Sequence, residues 1–204
     1  MDQLSISDSL NSNSRIIASS GVFQIELLKN VKELDYPQLI EISKSLAKDY
    51  GEKAILTKPT IQKYFNTAGA LPFIARYRDN IIGYIIGVPL EALSQEPWAR
   101  SDENFGKANT LYTYAFVIQS EYKGNGYAKM LKRVFLSWSG KQDNINYITG
   151  HVANGISAKF TGDIHIVNRV DNWQGTGEKF EYYRRELIGK RSPLKNNPPL
   201  ITRT

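Results

Sequence analysis

One stretch constrains this chain more than any other: Thr110 to Ser139, TLYTYAFVIQSEYKGNGYAKMLKRVFLSWS. It opens on β-branched and aromatic residues, which predicts a strand over Thr110 to Ile118, followed by a short polar turn and a glycine-bearing loop that starts a helix. Tyr127, Met130, Leu131, Val134, Phe135 and Trp138 recur at helical spacing and form one apolar stripe, whereas Lys129, Lys132 and Arg133 fall on the other side. Between strand and helix stand Lys123, Gly124, Asn125, Gly126, Tyr127 and Ala128. Small residues there let backbone approach a ligand closely, and the unpaired N–H groups of a first helical turn, with the helix dipole behind them, attract phosphate. The stretch reads as a strand, loop and helix that hold an anionic cofactor; the alternative is a βα turn whose glycines only relieve backbone strain.

Two phosphate-binding patterns fail. The dinucleotide fingerprint requires glycine at the sixth position, which counted from Gly124 is Lys129, and a Walker A loop requires Gly-Lys-Ser/Thr, which the chain lacks. A third pattern, Arg or Gln, two residues, Gly, one residue, Gly or Ala, is met by Lys123, Gly126 and Ala128 with Lys in the first slot. That is motif A of the Gcn5-related N-acetyltransferase (GNAT) superfamily, and the chain resembles that superfamily from about Val22 to Leu187. The resemblance implies an α/β (α+β) fold: a mixed, mostly antiparallel sheet flanked by helices, with two central parallel strands splayed apart around acetyl-CoA. It puts pantetheine hydrogen bonds on the backbone of Ile118 and Ser120. It puts the pyrophosphate on the amides of Gly124, Asn125, Gly126, Tyr127 and Ala128, where a side chain at Gly126 would occupy the phosphate's space. Lys123 departs from the usual Arg or Gln and keeps the positive charge without the fork. Asn154 matches an asparagine whose amide meets the pantetheine arm; it also suits a helix N-cap.

The remaining segments fit that expectation in order. Phe23 to Leu28 reads as a strand, Asp35 to Gly51 as a helix with Pro37 in its first turn, and a shorter helix follows Pro59. Strands over Pro72 to Arg78 and Ile81 to Val88 join at Asp79-Asn80. Asn146 to Ala153 is a strand, Asn154 to Thr161 a helical turn, and Ile164 to Asp171 and Phe180 to Leu187 close the sheet. The long segment Pro89 to Asn109 is either a solvated loop or a lid over an acceptor site. The expected organisation is a flexible Ser- and Asn-rich segment over 1–20, one acetyltransferase domain over 21–188 and an extended Pro-rich tail over 189–204.

The chain's 204 residues suit one domain with a sizeable core. There is no cysteine and there are two histidines, so disulfides, a thiol nucleophile and a zinc enzyme are not expected. The absence of a basic leader, of an apolar leader core and of a membrane-length apolar run points to the cytoplasm. A net charge of +6 fits a polyanionic cofactor and equally a nucleic acid.

The activity implied by the resemblance is attack of a primary amine, on a small molecule or a peptide, on the acetyl thioester in a ternary complex. At pH 7 only about one in 2,500 alkylammonium ions is neutral, a handicap of about 4.6 kcal/mol that a base or a desolvating pocket must offset. Relatives that use a glutamate near Asn109 to Tyr112 find no match here, nor do those with a tyrosine after the next strand, where Phe160 and Thr161 stand. His151 is therefore the first candidate base, with Glu91 a more distant one. Tyr114 and Tyr182 are the first candidate acids, followed by Tyr112 and Tyr183; Trp173 and Glu178 fall near the acceptor channel. Two other classes stay open. One is a non-catalytic coenzyme A-binding module acting as sensor or scaffold; the other is a basic nucleic-acid binder.

Overall fold

The structure, a computed structural model, describes residues 13–187. An eight-stranded sheet runs in the order β1-β2-β3-β4-β5-β6-β8-β7. Its strands are β1 Asn13–Ser20, β2 Phe23–Asn30, β3 Leu71–Tyr77, β4 Asn80–Pro89, β5 Thr110–Ile118, β6 Tyr147–Ala153, β7 Ile164–Val170 and β8 Phe180–Glu186. Only β5 and β6 are parallel, as the amphipathic crossover between them requires. One core packs α1 (Tyr36–Ser43), α2 (Ala47–Tyr50) and α3 (Lys58–Phe65) on one face of the sheet. The crossover helix packs on the other; α4 is Pro97–Arg100 and the crossover helix is α5, Tyr127–Gly140.

The expectation of a flexible segment to Ser20 is corrected for Asn13–Ser20, which forms strand β1. Its side chains are largely exposed, so no apolar alternation marks it; its order comes from the ladder to β2, a turn at Gly21 with φ +58°, and Arg15 stacked over Trp138 of α5. Residues 1–12 and the tail expected over 189–204 lie outside the described residues.

Three local differences have physical causes. The helix expected from Asp35 to Gly51 is broken by a 3-10 turn at Lys44–Leu46, where Ser43 and Ser45 hydroxyls donate back to the carbonyls of Ile40 and Ile42. Asp35 holds the N-cap position of α1 without capping it, whereas Thr57 and Thr60 form a reciprocal capping box on α3. The turn expected over Asn154 to Thr161 shrinks to a 3-10 turn at Ser157–Lys159, so Asn154 caps no helix.

The sheet opens in its middle. Strand β5 pairs with β6 at Thr110/Tyr147, Leu111/Ile148 and Tyr112/Thr149 and then stops, while β6 continues to Ala153 against β8 alone. On its other edge β5 carries a bulge against β4: Ile86 faces Ala115 and Gly87 faces Thr113, leaving Tyr114 unopposed. The bulge sits just where the parallel pairing ends.

Candidate active site

The register between β4 and β5 decides which backbone groups face the opening. Gln119 N–H donates to the Ile82 carbonyl at 2.9 Å, so these residues form a bonded pair in a ladder that continues through Gly83/Ile118 to Ile86/Ala115. Bonded and non-bonded pairs alternate in an antiparallel ladder. The N–H and C=O of Ile118 and Phe116 therefore turn away from β4, toward the edge that β6 has left. Backbone polar groups need partners when buried, and an extended polar ligand could supply them along this edge. Ile118's side chain, meanwhile, is core. Ser120 opens an exposed 3-10 turn, and its carbonyl accepts from Lys123 N–H at 3.2 Å.

The glycine loop forms an open cradle at the head of α5. Gly124 and Gly126 have φ of +85° and +78°, and a Cβ built at either meets nothing within 4 Å. The first helical bond runs from Met130 N–H to the Gly126 carbonyl, so the amides of Tyr127, Ala128 and Lys129 precede the ladder, and no side chain caps them. Asn125 ties the loop down by donating to the Tyr122 carbonyl at 3.2 Å. Tyr127's ring stacks on Phe23 at 4.2 Å, leaving its amide to the cradle, and Lys123 is exposed beside it. An anionic group fits here on charge and on space.

Behind the cradle a cavity of about 240 Å³ runs between β5 and β6. Phe135 and Leu136 of α5 with Ile148 line its inner part, and Lys132 stands on its wall. Helical spacing put Lys132 on the solvent side; instead its Nζ lies 3.4 Å from the Phe160 ring centroid, and burial, then Arg185, lowers its pKa to about 8. Tyr183 closes the apex of the opening. Its ring lies across Gly150, where a built Cβ would stand 3.2 Å from the hydroxyl oxygen, and that hydroxyl lies near the Thr113 side chain. Burial raises its pKa, so it stays protonated.

The acceptor end is aromatic. His151 is buried, stacked on Trp173 at 3.6 Å and on Tyr182 at 4.7 Å, with Trp98 against its edge. Its Nδ1 is hydrogen bonded to the Tyr112 hydroxyl at 3.0 Å, and its Nε2 is buried without a partner. Burial lowers its pKa to about 3, so the ring is neutral and a weak acceptor for an ammonium proton. Tyr182 donates to Asp102 at 2.7 Å and points away from the cavity, whereas Tyr114 lines the cavity, its ring 4.2 Å from Tyr64's. Burial raises the pKa of both tyrosines. Asn154 is exposed, its backbone N–H bonded to the Lys179 carbonyl at 3.0 Å. Trp173 does reach the chamber wall; Glu178 is exposed.

The segment between β4 and β5 is an ordered lid. Glu91 accepts from the Gly106 and Ala108 amides at 3.0 and 2.9 Å, and Asp102 and Glu103 both pair with Arg184. Glu91 is thus committed to holding the lid's backbone. Glu96 is not: half-buried, it lines the cavity close enough to Tyr114 for its charge to raise that pKa. Sequence reasoning missed Glu96 because it looked for a carboxylate on the strand, and this one comes from the lid, a dozen residues and more upstream. Tyr183 ranked behind Tyr182 because adjacent strand residues cannot be sorted to faces without the sheet.

The fold and the cleft define an acyltransferase-like protein, and comparison with known proteins makes that assignment firm. The Acetyltransferase (GNAT) family matches residues 37–161, more than half the chain, and the chain belongs to that family. No curated protein matches it in sequence. Among solved structures, NAA60 of Arabidopsis thaliana in complex with acetyl-CoA superposes with TM-score 0.58 at 13% identity, covering 80% of this chain and 99% of that one. Ard1 of Thermoplasma volcanium gives TM-score 0.58 at 12% identity over 82% and 99%. The ribosomal-protein-S18-alanine N-acetyltransferase of Escherichia coli gives 0.56 at 9% over 86% and 99%. At such identities the likeness is one of fold. Among the described residues no helix is long and apolar enough to cross a membrane, and no cluster of three or more His, Asp or Glu is placed to hold a metal.

Proposed function

We propose that this protein is an acetyl-CoA-dependent N-acetyltransferase that acylates a primary amine by direct attack in a ternary complex. The observation that carries the reading is the opening between β5 and β6 beside an open, amide-lined glycine cradle. The amides of Gly124 to Ala128, with Lys123, would take the pyrophosphate, and the outward backbone of Phe116 and Ile118 would bond the pantetheine arm; Ser120 and Asn154 would flank it. Bound there, the cofactor supplies an acetyl thioester to an amine held on the lid side.

This chain's residues then have two tasks. Glu96 pairs with the incoming ammonium and accepts its proton, a role that His151, buried and neutral, fills poorly. Tyr183, protonated at the apex, donates a hydrogen bond to charge developing on the leaving sulfur; Tyr182 is engaged with Asp102, and Tyr114 instead walls the acceptor chamber.

Calorimetric titration with acetyl-CoA, then thiol release with an amine panel, tests the reading. Saturable binding and amine-dependent release support it. Binding without release on any amine favours a non-catalytic module, and no binding at millimolar cofactor removes the proposal.

A further inference from the structure

The lid's acidic residues suggest a cationic acceptor, but the structure leaves few of them free. Of the four acids between Leu90 and Asn109, Glu91 caps lid amides, and Asp102 and Glu103 hold Arg184, so Glu96 alone faces the cavity. The other ionisable side chains with a charge on the cavity lining are Lys53 and Lys132, both cations. A second or third ammonium on the substrate would find no partner and two like charges. One ammonium finds Glu96.

What surrounds that carboxylate is aromatic. Tyr64, Trp98, Tyr112, Tyr114 and Trp173 present ring surface to the chamber, a lining that favours a flat apolar body through area and ring–ring geometry. Two of the lining residues carry a polar atom that nothing satisfies. Trp98 Nε1 and His151 Nε2 are buried without a partner, on rings whose centroids are 4.8 Å apart. Buried polar groups are normally satisfied, so such a pair on a cavity wall points to a ligand group that completes it. Trp98 on the lid also meets Trp173 on the β7–β8 loop, ring centroids 6.0 Å apart. That contact joins the lid to the β7–β8 loop at the chamber wall.

Resting on the acetyl-transfer reading above, we propose that the acceptor is a small primary monoamine carrying an aromatic ring with a hydroxyl substituent. Its ammonium meets Glu96, its ring lies among Trp98, Tyr64 and Tyr114, and its hydroxyl meets Trp98 Nε1 and His151 Nε2. The transfer balances: the amine nitrogen forms an amide with the acetyl carbon and the carbon–sulfur bond breaks, while the nitrogen gives up two protons, the first to Glu96 and then solvent, the second, lost as the amide forms, to the leaving thiolate.

The test compares tyramine, 2-phenylethylamine, spermine and an eight-residue peptide with a free N-terminus. Two readouts are used: thiol release, and quenching of intrinsic tryptophan fluorescence with and without cofactor, which needs no turnover. Tyramine is expected to exceed spermine and the peptide at least tenfold in kcat/KM or in affinity, and to exceed 2-phenylethylamine about fivefold or more. Trp98→Phe, which keeps a ring and removes the N–H, should erase the preference for tyramine over 2-phenylethylamine. Spermine or the peptide matching tyramine, or no saturable quenching by either arylalkylamine, overturns the substrate class while leaving acetyl transfer standing. Failure of acetyl-CoA to bind overturns the function instead, and the fluorescence arm still reads the chamber.

Discussion

Replacing Gly126 by Trp separates a ligand cradle from a mere turn. The backbone there sits at φ +78°, so any L side chain costs about 1–2 kcal/mol in the left-handed region. A Cβ meets nothing within 4 Å, so no clash at the point of attachment adds to that cost. At about 2–4 °C per kcal/mol for a chain of this size, the melting temperature should fall by about 2–8 °C. Gly21→Trp is the matched control, with φ +58°, an equally open Cβ, and a place in the β1–β2 turn, outside the amide-lined loop itself. Cofactor affinity should split the two. Loss of two charge-assisted amide bonds to a pyrophosphate, at about 1.5–3 kcal/mol each, predicts a dissociation constant raised by about 10²- to 10⁴-fold in Gly126→Trp and unchanged in Gly21→Trp. Thermal unfolding with and without acetyl-CoA, plus calorimetry, reads both quantities. Affinity in Gly126→Trp within threefold of the parent, with the expected drop in melting temperature, would refute the cradle.

Three further outcomes follow from the same geometry. His151 is neutral when folded, its pKa lowered to about 3 from 6.5, so below pH 6.5 the unfolded chain takes up a proton that the folded one refuses. Stability should fall by about 1.4 kcal/mol per pH unit, about 2 kcal/mol by pH 5, and denaturant unfolding of His151→Phe should lack that slope; identical slopes would sink the assignment. Gly150→Ala places a Cβ 3.1 Å from the Tyr183 ring, which should cost about 1 kcal/mol of stability and lower kcat about tenfold by displacing the hydroxyl, checked by single-turnover kinetics. Glu91→Ala leaves two lid amides uncapped, so KM for the amine should rise about fivefold or more while cofactor affinity, measured by calorimetry, stays put.

Most strands and helices from Phe23 to Glu186 were legible because burial imposes a period on them; the short helix α4 inside the lid was not, and β7, largely exposed, showed only through Ile164, Ile166 and Val170. The stripe from Tyr127 to Trp138 and the run from Thr110 to Ile118 carry their own assignment. Strand β1 was not legible, since most of its residues face solvent, with Ile17 and Ala18 half-buried against the core, and its stability lies largely in bonds to β2 that leave no mark on side-chain choice. The cradle could be read because positive φ selects glycine, a one-residue signal. The acceptor chamber could not: Glu96, Trp98, His151, Trp173 and Tyr183 come from a lid, two strands and a hairpin loop, and only the closing of the sheet brings them together. The same closing reverses the standing of single residues. Lys132 exchanges solvent for the Phe160 ring, and Tyr182 and Tyr183 part to opposite faces, one toward Asp102 and one toward Thr113.

Among the described residues, three cross-strand pairs between β5 and β6, with the Asn146 and Tyr147 amides bonded to the Asn109 carbonyl just before them, make up the backbone bonding that joins the sheet's left and right portions. The left portion, from β1 to β5, and the right, from β6 to β8, therefore behave as two leaves of a book bound along a short spine, with α5 as the cover over one side. A molecule lying in the gutter and bonded to both leaves acts as a clasp: its departure leaves the spine as the softest line of the protein, and amide exchange along Gly150 to Ala153 should quicken ahead of the rest.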